Sequence, residues 1–98
     1  MRFQFVEENL QKLYCEATES DLMPPASLPA FFEVMAMIES ARNERDLAAL
    51  VTLGLAAFDP PVDHLRLLRI DDYHDLVVGL DVDGRGPIAR IHEVVRRN

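Results

Sequence analysis

Leu67-Leu68-Arg69-Ile70-Asp71-Asp72-Tyr73-His74-Asp75-Leu76-Val77-Val78-Gly79-Leu80, followed by Ile88-Ala89-Arg90-Ile91-His92-Glu93-Val94-Val95-Arg96-Arg97-Asn98, is the stretch that decides the fold. Both runs are rich in Leu, Ile and Val and are bounded by turn-forming residues, the pattern of strands. Asp71-Asp72 separates a strand over His64–Ile70 from one over Tyr73–Val82, and Asp83-Gly84-Arg85-Gly86-Pro87 separates the second from a strand over Ile88–Val95. Three strands joined by tight turns predict an antiparallel meander. Leu67-Leu68 and Val94-Val95 are adjacent apolar pairs that break strict alternation, so a bulge or burial on both faces is expected.

Upstream the period changes. Met1–Val6 alternates Phe3 and Phe5 with Arg2 and Gln4, which predicts a short strand. From Glu7 onward Leu10, Leu13, Tyr14 and Ala17 fall at helical spacing, with Glu7 and Glu8 where the helix dipole favours acids. That helix should fade near Ser20–Met23, because Pro24-Pro25 cannot continue it. Ser27 offers an N-cap for a second helix, with Pro29 tolerated in its first turn. Leu28, Phe31, Phe32, Met35, Ile38 and Ala41 or Arg42 make its apolar stripe, to about Asn43, and the phenylalanine pair is expected in the core. Asp46–Leu50 predicts a further short helical segment, and Asp59-Pro60-Pro61 closes the helical half. The order of elements is one strand, two to three helices and a three-stranded meander. It predicts an α+β domain, helices layered on a mainly antiparallel sheet.

Composition supports one soluble domain. The chain has 98 residues, 49% of them apolar, in the range of a single small core. Cys15 is the lone cysteine, so an internal disulfide is impossible; it reads as a small core residue in a reducing compartment. No apolar run approaches the ~20 residues of a membrane span, and no signal-like segment opens the chain. A cytoplasmic location is expected. Residues 1–63 hold eleven acids against four bases, residues 64–98 six of each, so the net charge of −7 lies in the first half. Extended RNA binding normally needs a basic footprint. An acidic half is equally suited to a basic protein segment.

Chemistry-bearing motifs are few. Asp81-Val82-Asp83-Gly84 has the start of a calcium loop but lacks its later ligands and reads as a hairpin turn. His64, His74 and His92 with Asp63, Asp71, Asp72 and Asp75 match no compact metal-ligand spacing, and no metal or cofactor is expected. A phosphate-binding glycine loop and a nucleophile elbow are absent from the sequence. There remain the arginines Arg66, Arg69, Arg90, Arg96 and Arg97. Cleaving a phosphodiester without a metal needs cations around the developing charge and a base near the 2′-hydroxyl. Arginines on neighbouring strands suit the first role, and His64, His74 or His92 the second. Arg66 and Arg69, three positions apart, should face opposite sides of a regular strand.

Along its full length the sequence resembles the RelE/ParE toxin superfamily, nearest to its HigB-like plasmid-maintenance-killer branch. The resemblance rests on Met1–Phe5 as opening strand, Leu10–Tyr14 as first helix and Leu22-Met23-Pro24-Pro25 as connector. It continues through Phe32–Ile38, Ala41 and Glu44–Leu50 as central helices, Leu68–Asp72 as strand and turn, and Ile91–Val95 as last strand. It implies a toxin paired with a cognate antitoxin that cuts mRNA on the ribosome, needing no metal or small-molecule cofactor. The sequence departs from the family at three places. Asp59–His64 replaces a Lys/Arg/Gly-rich stretch, Asp75 a basic residue, and Arg96-Arg97-Asn98 a terminal Asp-Tyr-His. Under this resemblance Arg69 and Arg97, with His92 or His64 as base, are the expected catalytic residues, and Arg66, Arg90 and Arg96 the expected phosphate ligands. Two alternatives stand beside it: a non-catalytic interaction module on the same fold, and a divergent toxin with another target, as some relatives inhibit gyrase.

Overall fold

The computed structural model describes residues 1–16, 22–50, 55–57 and 64–96. Strand β1 spans Arg2–Phe5 and helix α1 Glu8–Glu16; a 3-10 turn at Pro25–Ser27 leads into α2, Leu28–Ser40, and then α3, Glu44–Leu50. Strands β2 (Leu55–Ala57), β3 (Leu65–Arg69), β4 (His74–Asp83) and β5 (Gly86–Arg96) complete the chain of elements. They form one five-stranded sheet in the order β1-β5-β4-β3-β2. The expected α+β class is thus observed, with the meander β3-β4-β5 antiparallel as expected and β1 pairing with β5 in parallel. Strand β2, antiparallel to β3, extends the three-stranded expectation. Its Leu-Ala-Ala sequence has no alternation and no β-branched residue, so only pairing with β3 marks it as a strand.

Local chemistry explains the boundaries. Asn43 caps α3, its side-chain oxygen accepting from the Asp46 N–H at 2.9 Å, with Glu44 and Asp46 in the first turn where the dipole favours acids. Helix α2 stops at Ser40, short of Asn43, because Ala41 is already extended. Ser27 makes no capping bond to α2, contrary to the sequence expectation; its hydroxyl is engaged by the sheet, as described below. The β4–β5 hairpin turns on Gly84-Arg85, and Gly86 takes φ 109°, a conformation side-chain-bearing residues rarely adopt. Asp83 accepts from the Arg85 N–H at 2.8 Å across that turn and pairs with Arg2 of β1.

One face of the sheet is covered by the helices. Leu10 and Leu13 of α1, Phe31, Val34, Met35 and Ile38 of α2 and Leu47 of α3 bury against Leu68, Ile70, Leu76, Val78, Ala89 and Ile91. Phe31 and Phe32 take their expected core positions, Phe31 fully buried and Phe32 packed at the core's edge. Tyr14 gathers the aromatic side chains, with ring centroids 5.4 Å from Phe5, 5.6 Å from Phe3 and 5.8 Å from Phe32. Cys15 is exposed, which corrects its reading as a core residue: it follows Tyr14 off the buried stripe of α1. The expected bulge lies in β5. Val77 pairs with Glu93 and Val78 with Ile91, so His92 is the extra residue. Val77 and Ile88 are buried outside the helix-facing core, so burial on both faces is found as well.

Phe31 is fully buried, and truncating such a ring leaves a cavity that rigid neighbours cannot fill. Phe31→Ala is therefore expected to lower the free energy of unfolding by about 3–5 kcal/mol, while Val6→Ala, at an exposed position, stays within about 0.5 kcal/mol. Urea melts of the two variants check both values.

Candidate functional site

The bend after β3 builds a polar centre from three residues. Asp71 folds back on its own backbone, one carboxylate oxygen accepting the Tyr73 N–H at 2.8 Å, the local turn that aspartate favours. The Ile70 and Asp71 N–H groups donate to the His74 carbonyl, which closes the bend and starts β4. His74 Nδ1 lies 3.0 Å from Asp71 Oδ1. On the other side Ser27 Oγ donates to Asp71 Oδ2 at 2.5 Å, tying the connector before α2 to the bend after β3. Burial works to raise the Asp71 pKa. The donated hydrogen bonds of Ser27, Tyr73 and His74 outweigh it and hold the carboxyl down at about 2.

This centre borders a cleft of about 830 Å³. Its apolar wall is the connector Leu22–Ala26, and its polar side carries Ser27, Asp71, Asp72, Tyr73 and His74, with Val94 and Arg96 of β5. Arg96 is the register partner of His74 across the β4·β5 ladder. The His74 side chain is only 11% exposed, and the carboxylate selects the tautomer whose proton sits on Nδ1. Among the described residues Nε2 has no hydrogen-bond partner, and it is not sealed from solvent. An imidazole so held can accept a proton at Nε2. Ser27 cannot be its nucleophile, because the carboxylate lies between the hydroxyl and the ring.

The residues expected from the sequence are dispersed around this centre. Among the described residues of that catalytic and phosphate-binding set, Arg96 is the one that lines the cleft; Arg97 lies outside the described residues, as do positions 59–63. Arg66 points to the helix-covered face and donates to Glu44 of α3 at 2.9 Å. Arg69 stands opposite Asp75 on the other face, so the two arginines do face opposite sides. Arg90 shares that outer face, donating to Gln4 at 2.8 Å. His92, at the bulge, sets its ring over Gly79, where a Cβ would come within 3.0 Å of Nε2. His64 sits exposed before β3, its carbonyl accepting the Leu80 N–H. Among the described residues the sheet therefore does not assemble this set into one phosphate site. Along the sequence His74 is one of three candidate bases, and neither Ser27 nor Asp71 stands out as its support. The signal for the closer part was Asp71-x-x-His74 across a turn; that for Ser27, forty-four positions from Asp71, was absent.

Among the described residues no three His, Cys, Asp or Glu side chains are grouped to hold a metal ion, and no helix is long and apolar enough to cross a membrane. Comparison of the chain with family models, curated proteins and solved structures finds no match.

The folded-state pKa of Asp71, about 2, lies below its ordinary 3.8. Its contribution to stability is thus complete above about pH 4 and is lost as pH falls toward 2. Ser27→Ala removes one of the donors responsible. Urea melts of wild type and Ser27→Ala should differ at neutral pH, with wild type the more stable, and converge between about pH 4 and pH 2.

Proposed function

We propose that the chain is the toxin component of a bacterial type II toxin–antitoxin module, acting in the cytoplasm as a metal-independent, ribosome-dependent mRNA interferase and held in check by a cognate antitoxin. The observation that carries this reading is the succession of an opening strand, stacked helices and an antiparallel run of strands over the described residues. It is the succession on which the full-length resemblance to the HigB-like branch rests. The cleft adds chemistry in keeping with it: an oriented imidazole and an arginine at the end of β5.

A second reading is favoured by a specific observation. Arg2, Arg42, Arg66 and Arg90 each meet an acidic side chain, and the net charge is −7. These pairs and the acidic balance reduce the charge those arginines can offer to phosphates, which suits a non-catalytic module that meets a protein segment instead.

Expression of the chain alone is expected to arrest growth, with mRNA cut inside translated reading frames. Co-expression of a small helix-turn-helix protein from the neighbouring gene should relieve the arrest. Primer-extension mapping of transcripts reads the cleavage directly. An absence of arrest and of cuts at every expression level rejects the interferase and leaves the interaction module.

A further inference from the structure

We propose that His74, and not His64 or His92, is the base that takes the 2′-hydroxyl proton of a single-stranded ribonucleotide lying in the cleft between the Leu22–Ser27 connector and the end of β5. The inference rests on the ribonuclease reading and assigns it a site. Four observations meet there. The ring of His74 is nearly enclosed, with Nδ1 on Asp71 at 3.0 Å and Nε2 free of any hydrogen bond among the described residues. Both oxygens of Asp71 are occupied, Oδ1 by Tyr73 and His74 and Oδ2 by Ser27, so the carboxylate is fixed and aims the ring. Arg96 faces His74 across the strand pair and lines the same cleft. Tyr73, on that lining too, is 63% exposed, an unpacked ring of the kind on which bases stack.

The cleft, about 830 Å³, lies within the roughly 300–1,000 Å³ range of ligand sites. His64 and His92 lack this setting: one is exposed ahead of β3, the other lies over Gly79 on the outer face. In the step itself, Nε2 removes the 2′-hydroxyl proton, and the 2′-oxygen forms a bond to phosphorus. The bond from phosphorus to the 5′-oxygen breaks, and the leaving oxygen takes a proton from water. A 2′,3′-cyclic phosphate and a free 5′-hydroxyl result, with no change of oxidation state. The Arg96 guanidinium supplies positive charge beside the phosphorane oxygens. Asp71 and Ser27 touch no substrate and are positioning residues.

The test uses the full chain with ribosomes programmed with a short mRNA. His74→Asn keeps a donor for Asp71 but lacks a base, and is expected to lower kcat about 100-fold or more. Asp71→Asn should lower kcat with KM unchanged once rates are normalised to the folded fraction read by circular dichroism, because loss of folded protein alone lowers the apparent kcat in the same way. His74→Gln, which likewise keeps an amide donor and lacks a base, is the second variant and decides if His74→Asn does not fold. Cleavage of ribosome-bound mRNA at the wild-type rate by either folded variant overturns the assignment while leaving the interferase standing. No cleavage by wild type overturns both.

Discussion

The pairing of β4 with β5 is the constraint on which the rest of the molecule depends. Its ten paired positions run from His74↔Arg96 at one end to Asp83↔Gly86 at the other. Because side chains alternate along a strand, this register puts Leu76, Val78, Ala89 and Ile91 together on the helix-covered face. The bulge between Val77 and Val78 lets one extra residue, His92, be absorbed without moving the apolar positions on either side of it to the wrong face. The outer strands follow. Strand β1 adds in parallel along β5 and carries Phe3 and Phe5 to the aromatic cluster around Tyr14.

The same pairing creates the cleft. Arg96 reaches His74 only because β5 runs its full length beside β4. The opposite wall comes from the connector, where Pro24 and Pro25 open the 3-10 turn that leads into α2. Ser27 joins the two walls through Asp71. A capping serine would have satisfied a helix terminus. Here it satisfies a carboxylate on the sheet, and α2 starts with Pro29 in its first turn, where a missing N–H costs nothing.

Electrostatics separates the ends of the molecule. Strand parity sends Arg66 and Arg96 to the helix-covered side and Arg69 and Arg90 to the outer face, and of these four only Arg96 lines the cleft. Arg66 is thereby placed beside Glu44, and Arg90 beside Gln4 and Asp81. A protein of this charge can engage RNA at one small site more readily than along an extended track. The cleft, with its fixed carboxylate and oriented imidazole, is a site of that small kind.

Much of the architecture was legible in the sequence because it is written in short-range patterns. Helical spacing in Leu28–Ile38, the Asp71-Asp72 bend and the Gly84–Gly86 turn report local constraints, and those elements stand where the patterns place them; the broken alternation around Val94-Val95 signals a bulge in β5, which falls at His92. The α+β class, the meander and the bulge therefore follow from the chain itself. Strand β2 was not legible, since Leu-Ala-Ala acquires strand form only from its neighbour. The site was legible in part: Arg96 and the Asp71–His74 spacing are visible along the chain, but Ser27 is distant from both. Only tertiary structure decided that Ser27 serves Asp71 and not its helix, that Arg66 and Arg69 are separated, and that His74 and Arg96 share a cleft. Hydrogen bonds and ion pairs act over a few ångströms of space, and sequence distance does not encode which side chains the packed sheet and connector bring that close.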